Sequence, residues 1–301
     1  MAQTTYDLIV IGEGIAGLAC AGHARRAGLS VATFESTLFG GLVLNVNELD
    51  GYPGAESGTL LASELMQANS DAGVASLQEE VTAIRSAGGA FEVAAGGVYG
   101  ARQVVIASGA RLKKLGVPGE DEYEGHGVSH CADCDAPMFH NEDVVVVGGG
   151  DSALQEALVL AKFCRKVHIV HRGDSFRAKK HLAELVRANS RISILWKSSV
   201  EAILGAKMVE KVRVRRDGKT EDIASAGVFA YVGLEPNAAC APSGVGRDGR
   251  GHLVTNDAFE TSMAGIWAIG AVRAGYSGLL RDAVAEAQKT AEGIVKRLRL
   301  D

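Results

Sequence analysis

Short, unbroken apolar runs alternate along this chain with longer stretches in which apolar and polar positions are mixed. Tyr6-Asp7-Leu8-Ile9-Val10-Ile11, Ser30 to Phe34, Val144 to Val147 and Lys166 to Val170 are of strand length and rich in β-branched residues. Runs that are apolar at nearly every position predict strands buried on both faces of a parallel sheet. Between them, Ala19 to Ala27 and residues 152–164 read as helices. Strands alternating with helices predict an α/β fold.

Two of the strand-to-helix junctions are glycine-rich. The first reads Gly12-Glu13-Gly14-Ile15-Ala16-Gly17 and the second Gly148-Gly149-Gly150-Asp151-Ser152-Ala153. In the first, Gly12 permits the tight turn, Gly14 lets a pyrophosphate approach the backbone, and Gly17 lets helix and strand pack closely. The following strand ends at Glu35, whose carboxylate suits the ribose hydroxyls of an adenosine and repels a 2′-phosphate. Gly148, Gly150 and Ala153 form a variant of the same pattern. The strand after them ends in His171-Arg172, with Arg177 just beyond, and guanidinium groups there suit a 2′-phosphate. These chemistries assign FAD to the first turn and NADPH to the second, in two Rossmann-like nucleotide-binding domains. The alternatives are glycines that serve packing only, and arginines that only solvate a surface loop.

Composition narrows the class. A chain of 301 residues can bury two moderate cores, and 38 glycines against five prolines suit many tight turns. A net charge of −5 argues against a general nucleic-acid binder. Five cysteines, an odd number without framework spacing, argue against a secreted disulfide scaffold. The apolar stretch from Leu8 to Ala21 contains Glu13 and follows no basic segment, so it reads as strand–turn–helix rather than a leader. No run is long enough to cross a bilayer, and a cytoplasmic setting is expected.

Cys131-Ala132-Asp133-Cys134-Asp135 lies between the two fingerprints. A Cys-x-x-Cys pair can cycle between dithiol and disulfide, one thiolate attacking and its neighbour resolving the mixed disulfide. With His130 and His140 the same cysteines also make a possible zinc set, although no second Cys-x-x-Cys exists. Cys20 and Cys164 read as buried apolar fillers. Cys240 receives no role.

In order along nearly the whole chain, these motifs resemble the low-molecular-weight thioredoxin reductases, within class II of the pyridine nucleotide-disulfide oxidoreductases. Further matching pieces are Gly40-Gly41, Tyr52-Pro53-Gly54, Ala107-Ser108-Gly109, Ala268-x-Gly270 and Arg281-Asp282-Ala283. The resemblance implies an FAD domain at about residues 1–115 and 246–301 with mixed β-sheet elements. An NADPH domain at 116–245 would interrupt it and carry the cysteines. Val117-Pro118-Gly119 and Gly233-Leu234-Glu235-Pro236-Asn237 are expected hinges. By the same resemblance, electrons pass from NADPH through FAD to the Cys131–Cys134 disulfide, and on to thioredoxin or a similar disulfide substrate. Cys134 would face the flavin, Cys131 would attack the substrate, and Asp135 would exchange protons. Domain rotation and a homodimer are also implied.

The chain departs from the family pattern at several places. Leu42 stands where glutamine usually follows the glycine pair, and Ala271 where aspartate usually holds the FAD ribitol. Asp282 replaces a glutamine; facing the flavin, it would disfavour an anionic reduced ring. Gly173 takes the place of a second arginine after His171. Ala136-Pro137-Met138-Phe139-His140 is closer to the flavoprotein subunit that reduces peroxiredoxin-type enzymes. Met138 and Phe139 are read either as partner anchors or as packing. Two other functions therefore stay open: a dithiol oxidase or reductase of a small disulfide, and an inactive redox-responsive flavin-binding protein.

Overall fold

A computed structural model describes residues 4–46, 49 and 56–300 of the protein. The motif Tyr52-Pro53-Gly54 lies outside the described residues. Internal contacts divide the chain into two compact units, Met1–Arg111 with Glu235–Asp301, and Leu112–Leu234.

The first unit is built on a sheet that begins with β1 (Thr5–Ile11), α1 (Ile15–Arg26) and β2 (Val31–Phe34). It continues through α2 (Gly58–Ala72), β3 (Ala75–Leu77), β4 (Ala83–Ala87), β5 (Ala90–Ala94) and β6 (Val98–Ile106). The strand order is β3-β2-β1-β6-β5-β4. The β3-β2-β1-β6 portion is parallel, and β4 and β5 form an antiparallel meander on β6. Leu8, Ile9, Val10, Val104, Val105 and Ile106 are buried, as their uninterrupted apolar sequence requires of central parallel strands. Helix α1 starts at Ile15, earlier than the apolar run predicts, because the turn itself supplies its first residues. At α2, Ser57 Oγ caps the start by accepting the Leu60 amide (3.2 Å), and Gly73 ends it in the left-handed region at φ 79°.

The chain leaves this unit through β7 (Ala110–Leu112) to form the second. There β8 (Val128–Ser129) and the one-turn helix α3 (Ala132–Asp135) precede β9 (Asp143–Gly148), α4 (Asp151–Phe163), β10 (Lys166–Val170), α5 (Lys180–Ala188) and β11 (Ile192–Leu195). Three antiparallel strands follow, β12 (Ser198–Gly205), β13 (Val209–Arg216) and β14 (Lys219–Ala224), and then β15 (Gly227–Tyr231). The main sheet is parallel in the order β11-β10-β9-β15-β8. Its core joins Val144, Val146, Ile169 and Phe229 to the inner face of α4. The chain returns through β16 (Leu234–Pro236), which pairs with β7. Pro118 lies within the second unit, where its carbonyl accepts the Ile203 amide (2.9 Å).

Back in the first unit, β17 (Ile266–Ala268) adds to β6, and α6 (Leu280–Leu298) packs along α1. Ala283, Glu286, Ala287, Thr290, Ala291 and Ile294 form the buried stripe of α6 at helical spacing. In both sheets a glycine turn follows the strand at which the direction of winding reverses, β1 beside β6 and β9 beside β15. The crevice at such a switch point is where an open α/β sheet offers a ligand site.

Candidate functional site: two glycine turns and a redox disulfide

At the first turn the glycine requirement is steric. A Cβ on Gly17 would lie 1.9 Å from the Gly12 carbonyl oxygen, and one on Gly12, at φ 103°, would lie 2.5 Å from the Ala107 carbonyl oxygen. Gly14 differs, since a Cβ there would meet only the Gly40 carbonyl oxygen, at 3.9 Å. Gly14 also caps α1 without any side-chain hydrogen bond, so the first-turn amides keep their donors for a ligand. Beside the turn, Glu35 Oε2 accepts the Glu13 amide (3.0 Å), and Oε1 accepts the Thr37 amide (3.1 Å). The Glu13 side chain is buried, with Oε1 accepting from Thr33 Oγ1 at 2.5 Å and Ser76 Oγ at 2.6 Å.

Other residues of this unit converge on the same edge of the sheet. Gly40 donates its amide to the Glu13 carbonyl (2.7 Å), and Gly14 bridges Gly40. Gly41 begins a single turn in which Leu42 is half-buried. Gly109, at φ 65°, has nothing within 4 Å of where a Cβ would stand. Asn237, expected from the sequence only as a hinge residue, ties the preceding loop: its Nδ2 donates to the Ser108 carbonyl (3.0 Å), while Ser108 Oγ donates to the Asn237 carbonyl (2.6 Å). Gly270 donates its amide to Glu286 Oε2 (2.8 Å), and Glu286 also pairs with Arg273, so Ala271 sits in a turn anchored to α6. Asp282 accepts from Ser277 Oγ (2.6 Å), and Arg281 Nε lies 3.6 Å from its carboxylate. Ala283 is buried against the core. Open Gly14 and Gly109 positions beside uncapped amides and an acidic strand end fit an adenine dinucleotide with an unphosphorylated ribose.

The second turn repeats the device. Gly148 is held at φ 151°, where a Cβ would lie 2.5 Å from the Tyr231 carbonyl oxygen and 2.8 Å from Ala153 Cβ. Gly150, the uncapped start of α4, has open space around a Cβ position. His171 is buried beneath Gly149, its Nε2 3.0 Å from the Ser175 carbonyl and its ring against Trp196 and Phe176. It shapes the loop from below, whereas Arg172 and Arg177 are exposed with no side-chain partner among the described residues. By contrast, Lys179 and Lys180 lie within 3.8 Å of Asp151 and Glu184. Two unpaired guanidinium groups beside an uncapped helix fit a dinucleotide carrying a 2′-phosphate.

In the same unit, Cys131 and Cys134 are joined by a disulfide with Cα atoms 5.4 Å apart. Cys131 starts α3, and its Sγ accepts the Cys134 amide (3.2 Å). Asp135 Oδ2 accepts from Ser129 Oγ (2.6 Å), which in turn accepts the Cys131 amide (3.2 Å). His130 Nε2 lies 3.3 Å from Glu124 Oε2. Phe139 is buried edge-on against Phe229, with centroids 5.3 Å apart, and is packing; Met138 is exposed. Burial pushes the thiol of Cys20 up to about 12 and those of Cys164 and Cys240 up to about 11, which leaves all three unreactive near neutral pH.

Sequence reading missed Glu156 and Tyr231. Glu156 Oε2 accepts the Ala132 amide (2.9 Å) and the Tyr231 hydroxyl (3.2 Å). Burial raises the Glu156 carboxyl above the ordinary range, opposed by the Ala132 amide and reinforced by the charge of Asp133. Burial first, and then Glu156, raise the Tyr231 hydroxyl as well. The available signal was a carboxylate on the buried stripe of α4, three residues after Ala153 and four before Leu160.

Two dinucleotide-type turns and a disulfide in an otherwise reduced set of cysteines define the class as a disulfide oxidoreductase. The family model described as pyridine nucleotide-disulphide oxidoreductase matches residues 6–288. The chain belongs to that family. It is 39% identical to the thioredoxin reductase of Treponema pallidum over 278 residues, covering 90% of each chain. The thioredoxin reductase of Mycolicibacterium smegmatis is also 39% identical, over 89% of this chain and 88% of the relative. Among solved structures, Lactococcus lactis thioredoxin reductase in its FR conformation superposes with a TM-score of 0.91 at 32% identity, covering 98% of this chain and all of that one. The protein is thus a thioredoxin reductase-like, flavin-dependent NADPH:disulfide oxidoreductase, and the cofactors of this class are FAD and NADPH. Among the described residues, no helix is long and apolar enough to cross a membrane.

Proposed function

We propose that this enzyme reduces thioredoxin, or a protein disulfide like it, through the Cys131–Cys134 pair. The observation that carries the reading is a formed disulfide in the unit that also holds an uncapped glycine turn and two unpaired arginines. When bound, FAD supplies the carrier that takes a hydride from NADPH and passes an electron pair to a disulfide.

Gly12, Gly14, Gly17, Glu35, Gly40, Gly41 and Gly109 would hold FAD, with Gly270, Ala271, Arg281, Asp282 and Ala283 at its far end. Within that set, Ala283 contributes by packing α6 and Arg281 by charge. Gly148, Gly150 and Ala153 would seat NADPH; Arg172 and Arg177 would grip its 2′-phosphate, and His171 would support their loop. The first unit then forms the FAD domain and the second the NADPH domain. Reduction breaks the S–S bond and leaves two electrons on the sulfurs. Cys131 attacks one sulfur of the substrate disulfide, Cys134 resolves the mixed disulfide, and Asp135 holds or releases the proton through its contact with Ser129. The resemblance to the family supports a homodimer and a cytoplasmic setting, the former testable by sedimentation.

The test is an anaerobic titration of the purified enzyme with NADPH, following the flavin band, with thioredoxin disulfide as acceptor. Rapid bleaching and NADPH-dependent reduction of thioredoxin are expected. In Cys134→Ser, bleaching should persist while thioredoxin reduction falls to background. A yellow protein that reacts with oxygen and a dithiol instead of NADPH would replace the reading with a dithiol oxidase. A colourless, inert protein would leave only a binding role.

A further inference from the structure

Glu156 stands directly behind the residue that follows Cys131, and nothing in the electron path assigned to this unit uses it. Its Oε2 lies 2.9 Å from the Ala132 nitrogen, and that nitrogen is bonded to the Cys131 carbonyl carbon. Tyr231, on β15, donates to the same oxygen (3.2 Å) and so fixes the carboxylate from the sheet side. Ala132 is itself fully buried, leaving little water to screen the carboxylate from the redox turn. The ionisable side chains that act on it are Asp133 on α3 and Tyr231 on β15, and neither is a cation; on the same turn Asp135 bonds Ser129, and His130 faces Glu124.

We propose that Glu156, held by Tyr231, is a positioning residue that fixes the Cys131–Cys134 turn and, through its negative charge, sets how readily this pair accepts electrons. The inference rests on the reading of Cys131–Cys134 as the redox centre. Reduction by dithiothreitol breaks the Cys131–Cys134 bond and closes the reagent into its cyclic disulfide. Two electrons pass to the protein sulfurs, each of which is protonated or, as a thiolate, leaves its proton to solvent. A fixed anion one peptide bond away disfavours the thiolate form and therefore the reduced state above the thiol pKa.

Glu156→Gln keeps an oxygen for the Ala132 amide and removes the charge. The test uses full-length enzyme equilibrated in dithiothreitol buffers of graded ratio, quenched with an alkylating reagent, with the reduced fraction read by mass. Alkylation rate against pH is measured on the reduced form. At pH above the thiol midpoint read from the alkylation profile, the variant is expected to favour the dithiol about tenfold, ~30 mV for a two-electron couple. Its alkylation profile should move to lower pH. Tyr231→Phe, which loosens the carboxylate without removing it, should move both readouts the same way by less. An alkylation midpoint and potential equal to wild type in Glu156→Gln would overturn the proposal. If that variant does not fold, unchanged readouts in Tyr231→Phe would do so. Failure of wild-type Cys131–Cys134 to cycle at all would instead remove the redox-centre reading, and the inference with it.

Discussion

Gly150→Ala separates a glycine kept for a ligand from one kept for the fold. Gly150 sits at φ −97° with nothing within 4 Å of a Cβ, so alanine is free of both strain and clash. Removing glycine's freedom in the unfolded chain contributes about 0.4–1 kcal/mol. Alanine as a poorer helix cap costs a comparable amount, roughly 0.5–1 kcal/mol. The two offset, and the melting temperature should move by no more than about 2 °C. The methyl would, however, occupy the space assigned to the NADPH pyrophosphate. A ten- to hundredfold loss of affinity is expected, about 1.4–2.7 kcal/mol. Gly148→Ala is the control, because its Cβ would meet the Tyr231 carbonyl oxygen at 2.5 Å and must displace β15 or α4. That change should cost about 1–3 kcal/mol of stability. Calorimetric titration with NADP⁺ and thermal melts of both variants decide the matter. Wild-type affinity in Gly150→Ala, or equal stability of the two variants, would refute the reasoning.

Arg172→Ala and Arg177→Ala should each weaken NADPH binding about fivefold, roughly 1 kcal/mol for an exposed charge pair, and leave NADH unaffected. Equal losses for both nucleotides would remove the 2′-phosphate assignment. Arg273→Met strands the buried Glu286 carboxylate and should cost about 3–5 kcal/mol in urea unfolding, with the double change Arg273→Met and Glu286→Gln recovering part of it. A single variant as stable as wild type would contradict that. Hydrogen bonds from Arg213 and then Lys211 hold the Asp222 carboxyl down at about 2. A lowered carboxyl contributes stability above its unfolded value of 3.8 and loses it as pH falls toward 2, so Asp222→Asn should flatten acid unfolding only in that window.

The turns were legible because their demands are local. Gly12, Gly17 and Gly148 meet backbone or side chains that the adjoining strand and helix bring together, and a fingerprint encodes that contact within a few residues. The Cys131–Cys134 bond was legible for the same reason. Glu156 and Tyr231, 75 residues apart, meet only because β15 lies beside β9, and no local periodicity carries a strand order. The ties between Asn237 and Ser108, across 129 residues, are of the same kind. His171 stood beside Arg172 at the strand end expected to meet NADPH, yet the Phe176–Trp196 pair encloses it, and only the folded loop reveals that enclosure.

Glu13 has a consequence for how this sequence can change. The variable position of the first glycine turn carries a buried acid that takes hydroxyl donors from two different strands, Thr33 and Ser76. Replacing Glu13 alone leaves two hydroxyls without their acceptor, and replacing either hydroxyl alone leaves a buried carboxylate short of a donor. The three positions are therefore expected to have been inherited as a set. Close descendants of this chain should keep or exchange all three together, and a combinatorial library that varies them jointly should recover functional combinations that stepwise substitution misses.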